Sequence, residues 1–300
     1  MSSNIMLNKN HIISSANNKL KYAFPNDVAF VKGDKIAVSS INMFFSWYNI
    51  TAKYNNNFFQ YKWWDMNGDL TVIVDVLIPD QYLTLNDLFE YLRIEMFKNG
   101  HYLKVLNPSP GHEYLYFIEI LPNASFYAVE LKLSSAAVEM DFGSGLTPVT
   151  NYCETPTTWK LPTQFETPQV IIPSNNSFGE LLGFNPGIVT QNTLGDVTNK
   201  QYSFLNDYTP TLEPSSSFIM TCNLISNDLG VPNDIMYSFV VPNETEFGML
   251  ISPVRDVVYS KIKPGTYRDV IITVYDQNFI PLNILDNNML ITLSIVHDQN

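Results

Sequence analysis

The sequence is short of charge. Only 15% of its 300 residues are Asp, Glu, Lys or Arg, against about 25% in ordinary globular proteins. Its polar surface must therefore come largely from Asn, Ser, Thr and Gln, which cost less to desolvate than charges and suit close packing against neighbours. Cysteine is scarcer still. Two residues, Cys153 and Cys222, exclude a disulfide framework. Cys222 falls in an apolar strand-like run and reads as a small buried hydrophobe, whereas Cys153 lies in a Pro/Thr-rich loop. No window reaches the run of about 18 apolar residues that a membrane-spanning helix needs. The opening MSSNIMLNKNHIISS has no apolar signal-peptide core, which predicts synthesis inside the cell. On that reading the sequons at Asn49, Asn123, Asn175 and Asn243 are chance matches in an Asn-rich chain.

Chemical signatures are missing too. There is no P-loop, no G-x-G-x-x-G and no G-x-S-x-G elbow. His11, His101, His112 and His297 show no metal-ligand spacing. Cys153 has no local signature of a Cys–His nucleophile. Asp65-Met66-Asn67-Gly68-Asp69 opens like a calcium loop, but its glycine comes too early and Val76 stands where the bidentate Glu belongs. A hairpin turn explains it better. Trp47, Tyr61, Trp63 and Trp64 have two readings, a sugar-stacking platform or core, and alternation along adjacent strands favours core and interface. No catalytic, cofactor-binding or metal residue is assigned, no cofactor is expected, and the chain reads as non-enzymatic.

Net charge is −12, so the body is a poor ligand for nucleic acid or anionic membrane. The charge is uneven. No acid precedes Asp27, while Lys9, Lys19 and Lys21 do. Residues 1–25, with little periodicity and ending at Pro25, read as a basic N-terminal arm. It either contacts nucleic acid or a partner, or is a solvated terminus. Deleting it is expected to leave the fold intact.

What the sequence has in quantity is strand pattern. Hydrophobic residues make up 45% of the chain, enough for a large core. Val270, Ile272 and Val274 alternate with Ile271, Thr273 and Tyr275; Met289, Ile291, Leu293 and Ile295 alternate with Leu290, Thr292, Ser294 and Val296. This is the period of a strand. The connection between them is too long for a tight hairpin. It predicts two strands in different sheets, each beside a strand from the start of the chain, as in a jelly roll. Strand-like runs also cover Phe30–Ile50, Phe58–Trp64 and Thr71–Ile78. At Pro79 the texture changes. Leu85, Leu88, Leu92 and Met96 fall at helical spacing, with Thr84 as N-cap and Asp87 completing a capping box. Three more strands follow, at 101–106, 114–121 and 126–133. Residues 141–170 read as loop, Ser177–Phe184 as a short helical turn and 185–210 as irregular. Regular strands resume at Ser217–Ser226, Ile235–Val241 and Asp256–Ile262, with a short one at Met249–Ile251.

The resulting expectation is all-β: a single eight-stranded jelly roll with a small α+β domain inserted between its third and fourth strands. The expected divisions are an arm over 1–25, jelly roll over 26–80, insertion over 81–210 and jelly roll over 211–300.

Three stretches add a likeness. One is Val31-Lys32-Gly33-Asp34-Lys35-Ile36-Ala37-Val38 with the aromatic strand after it. The second is the unit from Val76-Leu77-Ile78-Pro79-Asp80 to Leu88, with Asn176-Ser177-Phe178-Gly179-Glu180-Leu181-Leu182-Gly183-Phe184 further on. The third is the C-terminal run through Asp276, Pro281-Leu282 and Asp286. Over about residues 30–296 the chain resembles the penton, or vertex minor capsid, proteins of virophages and the related Polinton/Maverick elements. The resemblance implies a jelly roll with a D–E insertion, present as a homopentamer at the five-fold vertices of an icosahedral virion. Its neighbours would be double jelly-roll major capsid proteins, and the basic arm would touch the packaged genome at most weakly. It also implies synthesis in a host cytoplasm. It carries over no catalytic residues. The alternatives are a trimeric jelly-roll adhesin or fibre-head protein binding glycans or a host receptor, and a jelly-roll enzyme with converging carboxylates or a Cys–His pair.

Overall fold

Both ends of the chain build one unit, Met1–Tyr48 with Ser215–Asn300, and the stretch between them, Asn49–Pro214, builds a second. The structure is a computed structural model and describes residues 2–106, 113–141, 146–162, 166–189, 201–227, 232–242, 245–254 and 256–298. The first unit opens with strands β1 (Ser2–Leu7), β2 (Lys19–Phe30) and β3 (Lys35–Phe44). The second contains β4 (Phe58–Trp64), β5 (Leu70–Leu77), helix α1 (Leu85–Lys98), β6 (Leu103–Val105), β7 (Tyr114–Leu115), β8 (Ile118–Asn123) and β9 (Ala128–Ser134). It continues with β10 (Glu139–Asp141), β11 (Leu146–Pro148), β12 (Cys153–Glu154), β13 (Gln169–Ile172), α2 (Phe178–Leu182), β14 (Gly187–Val189) and β15 (Gln201–Leu205). The chain then returns to the first unit with β16 (Ser217–Cys222), β17 (Ile235–Val240), β18 (Leu250–Ile251), β19 (Ser260–Lys261), β20 (Gly265–Asp276) and β21 (Leu290–Val296). Strands dominate and all their pairings are antiparallel, so the fold class is all-β.

In the first unit one sheet has the order β1–β21–β3–β18, with β19 also on β3; the other has the order β17–β16–β20–β2. The last two long strands therefore sit in different sheets, each in the middle. The cause is their alternation: Val270, Ile272 and Val274, then Met289, Ile291, Leu293 and Ile295, are all buried, and each strand must have its apolar face against a core. Between them Asp276 turns the chain, its Oδ1 accepting from the backbone N–H of Asn278 (2.8 Å) and Ile280 (2.9 Å). The β2–β3 turn is held by Asp34. Its carboxylate accepts from Val31 N (3.0 Å) and Asp298 N (2.9 Å). Burial works to raise its pKa, but these bonds and His297 prevail and hold it below the usual value.

Two expectations fail here. Residues 1–25 are not an arm: β1 lies on β21 with Leu7 opposite Ile291, and β2 lies on β20 with Leu20 opposite Ile272. Leu7 and Leu20 are fully buried. The division at residue 80 also moves, because Phe58–Trp64 and Leu70–Leu77 belong to the second unit. Phe59, Tyr61, Trp63 and Trp64 point into that unit's own core, with Leu88, Leu92 and Met96 of α1. A second core of this size needs those aromatics, which bury more apolar surface than any other side chains.

The second unit has sheets of order β14–β13–β4–β5, β15–β9–β8, β12–β6–β7 and β10–β11. Helix α1 packs on β8, and the predicted capping box is present: Thr84 Oγ1 accepts from Asp87 N (3.2 Å), and Asp87 Oδ2 from Thr84 N (3.0 Å). The β4–β5 turn is the predicted hairpin. Asp65 Oδ1 accepts from Asn67 N (2.7 Å) and Asp69 N (3.1 Å), and Gly68 takes φ +86°. The expected irregular segment at 185–210 contains β14 and β15; residues 185–186 and 206–210 are outside any strand or helix, and 190–200 lie outside the described residues.

Candidate functional site

Four stretches of the second unit, far apart in sequence, meet around a cavity of about 550 Å³. They are Asn49, the segment 82–85 leading into α1, the β8–β9 hairpin tip and residues 210–213. Asn49 joins two of them. Its Nδ2 donates to the carbonyls of Leu83 (2.8 Å) and Leu212 (3.0 Å), and its Oδ1 accepts from Leu83 N (2.9 Å). These bonds use both amide hydrogens and give the oxygen a partner, which explains a buried Asn at this place. The walls are mostly apolar, including Leu83, Leu85, Val129 and Leu212.

The polar feature of the cavity is Tyr82 Oη donating to Glu213 Oε1 at 2.7 Å. Glu213 is open to solvent at its outer edge, yet packing around its carboxyl raises the pKa, with the Tyr82 bond opposing. Desolvation, then Glu213, raises Tyr82 as well. Among the described residues Glu213 is the one carboxylate lining the cavity, and no Lys, Arg or His lines it. At the hairpin tip Phe126 and Tyr127 are 71% and 77% exposed, and Tyr127 holds φ +49°. These residues were expected in a strand; the strand begins after them, at Ala128.

The sugar platform does not form. Trp47, Tyr61, Trp63 and Trp64 are at most 3% exposed. Trp47 packs on Phe45 and Phe218 in the first unit, at ring-centroid distances of 4.7 and 4.5 Å. The other three lie in the core of the second. There Trp63 stacks on His101 (4.9 Å, 14° between planes), and Tyr61 Oη is 2.8 Å from His101 Nδ1. Burial lowers the His101 pKa to about 4. It is a neutral core histidine whose ring is hydrogen-bonded to Tyr61, a pairing sequence spacing had no means of showing.

The cysteines are equally placed for packing. Burial pushes the Cys153 thiol up to about 11 and the Cys222 thiol to about 12, away from the reactive thiolate. Among the described residues no group of three or more His, Cys, Asp and Glu is arranged to hold a metal ion, and no helix is long and apolar enough to cross a membrane. His112 lies outside the described residues.

No family model and no curated protein matches the sequence. Among solved structures, the chain is similar to the crystal structure of the mavirus penton protein, at 10% identity over 98% of this chain and 97% of that one, with a TM-score of 0.46. It is also similar to a chain of the Sputnik virophage structure determined by cryo-EM, at 13% identity over 93% of this chain and 97% of that one, with a TM-score of 0.31.

Proposed function

We propose that the protein is a structural capsid subunit, acting by assembly rather than catalysis, and that five copies form a penton at the five-fold vertices of an icosahedral virion. The observation that carries this reading is the strand order of the first unit. A jelly roll has eight strands in two sheets of four, with two Greek keys connecting them. Here β1, β3, β18 and β21 make one sheet and β2, β16, β17 and β20 the other, with the last two long strands central. Strand β19 prolongs the β18 edge along β3. The unit Asn49–Pro214 is then an insertion between the third and fourth strands, β3 and β16. The three stretches that resemble virophage pentons support the same reading, as does a surface poor in charge. A five-fold ring needs one side of each subunit to complement the other, and low charge reduces the desolvation cost of that contact. The partners are further copies of the chain and a double jelly-roll major capsid protein. Contact with the packaged genome is weak, since the body is acidic. The protein is made in the host cytoplasm and ends in the virion.

Two measurements test this reading. Native mass across concentration is expected to approach five times 34.2 kDa, and co-expression with a major capsid protein is expected to place the chain at capsid vertices. A trimer together with empty vertices would overturn it and favour a fibre head. The adhesin alternative has lost its aromatic platform to the cores.

A further inference from the structure

The first unit has two flanks of unlike chemistry. Strands β1 and β2 end their respective sheets on one side. They are joined there by the Ile12–Leu20 bridge and by Ile13 N donating to Lys19 O. Strands β17 and β18 end them on the other. Tyr237 Oη of β17 donates to the carbonyl of Pro253, just after β18. From β18 the chain follows the edge of β3, pairing at Met43–Phe44 and again at Lys35–Ile36.

The β17/β18 flank is apolar to an unusual degree. Val240, Leu250 and Val258 are 58%, 59% and 63% exposed, and Phe247, Met249 and Val257 stand open beside them in sequence. A solvent-facing run of this kind marks an interaction surface. It is also acidic. Residues 234–261 contain Asp234, Glu246 and Asp256 among the described positions, against Lys261. The β1/β2 flank has the opposite character. Residues 2–30, which span β1 and β2, contain Lys9, Lys19 and Lys21 and a single acid, Asp27, whose Oδ1 lies 3.3 Å from Arg268 Nε; Met6 (63%) and Ile13 (53%) are exposed there. Lys21 is occupied with Asp269 at 2.9 Å; Lys9 and Lys19 face solvent.

We propose that the β17/β18 flank of one copy docks on the β1/β2 flank of the next, in a head-to-tail contact that repeats around a ring. This rests on the homo-oligomeric reading above and names its surfaces. Charge sign selects the pairing. Two β17/β18 flanks face to face would bring Glu246 and Asp256 against their own kind, whereas the lysines of β1/β2 complement them. A contact between two different surfaces is heterologous, and it forms a closed ring if the rotation closes. The contact is made by side chains rather than by strand addition along the whole of β2. Its ladder is broken between Ala23 and Val28, where Pro25 stands, a device that keeps sheet edges from pairing.

The test uses the full chain and two double variants at exposed positions. Leu250→Asp/Val258→Asp disables one flank and Lys9→Glu/Lys19→Glu the other, with amide exchange checking that both retain the wild-type fold. Each variant alone is expected at 34.2 kDa by native mass, under conditions where the wild type is oligomeric. An equimolar mixture is expected to give a dimer containing one of each, since one intact flank remains on each partner. Adding Glu246→Lys/Asp256→Lys to the lysine variant is expected to restore the oligomer. Variants that assemble like wild type overturn the proposed surfaces while the oligomer stands. A mixture that stays monomeric overturns the head-to-tail arrangement. A wild-type chain that is monomeric at every concentration overturns the inference and leaves the capsid reading to vertex occupancy.

Discussion

Replacing Leu7 with alanine is expected to destabilise the first unit strongly, while replacing its neighbour Met6 is expected to do almost nothing. The two side chains sit one residue apart on β1 and point to opposite faces. Leu7 is fully buried opposite Ile291, whereas Met6 is 63% exposed. Truncating a buried leucine removes its transfer free energy and leaves a cavity, together about 2–5 kcal/mol. An exposed side chain away from special features changes stability by about 0.5 kcal/mol or less. Since a domain is stable by only about 5–15 kcal/mol, Leu7→Ala takes a large share. Two units need not unfold together, so the assay is urea unfolding read by amide exchange, with peptides from β1 and β21 followed separately from those of β4 and α1. The expected result is early loss of protection in β1 and β21 for Leu7→Ala and a wild-type profile for Met6→Ala. Equal, small effects from both would mean that the first residues are a loose tail after all, and would refute the packing argument. Deleting residues 1–25 is the severer version. It removes β1 and half of β2, so β20 and β21 are expected to lose protection entirely.

Three further outcomes follow from the second unit. Thr84→Ala is expected to lower its stability by about 1 kcal/mol, with Thr84→Ser close to wild type, because the cap on Asp87 N is lost in the first and kept in the second; thermal unfolding reads the difference. Gly183→Ala is expected to cost more than that. Gly183 holds φ +81° at the end of α2, and a Cβ there would run into the Tyr208 carbonyl oxygen; the melting temperature of the variant checks it. Acid should weaken this unit through His101. Its pKa falls from 6.5 when unfolded to about 4 when folded, so the unfolded state binds the proton first. The contribution is present in full above pH 6.5 and is lost as pH falls toward 4, amounting to about 3 kcal/mol over that window. Amide exchange of the β4 and α1 peptides from pH 7 to 4 measures it, and His101→Gln is expected to flatten the slope.

Some of this was legible in the residues. The C-terminal strands showed because seven inward positions in two runs are all large and apolar, a signal that survives any register. Helix α1 showed because four buried residues recur at helical spacing behind a capping box. Strand β1 did not show. Only Ile5 and Leu7 face inward, and two alternate apolar residues in a polar stretch have no statistical weight. The cavity was equally hidden. Tyr82 and Glu213 are 131 positions apart, and no local pattern announces that they touch.

The sequence by itself determined the class of the fold and the faces of its long strands and helix, because side-chain periodicity is a local property of the backbone. It also determined the weak charge and its uneven spread. Which core each strand joined was decided only in three dimensions. Phe58–Trp64 carries as good a strand pattern as Lys35–Phe44, yet one lies in the second unit and the other in the first. The pattern says that an apolar face must be covered and is silent about what covers it; that depends on the partners the rest of the chain brings to it.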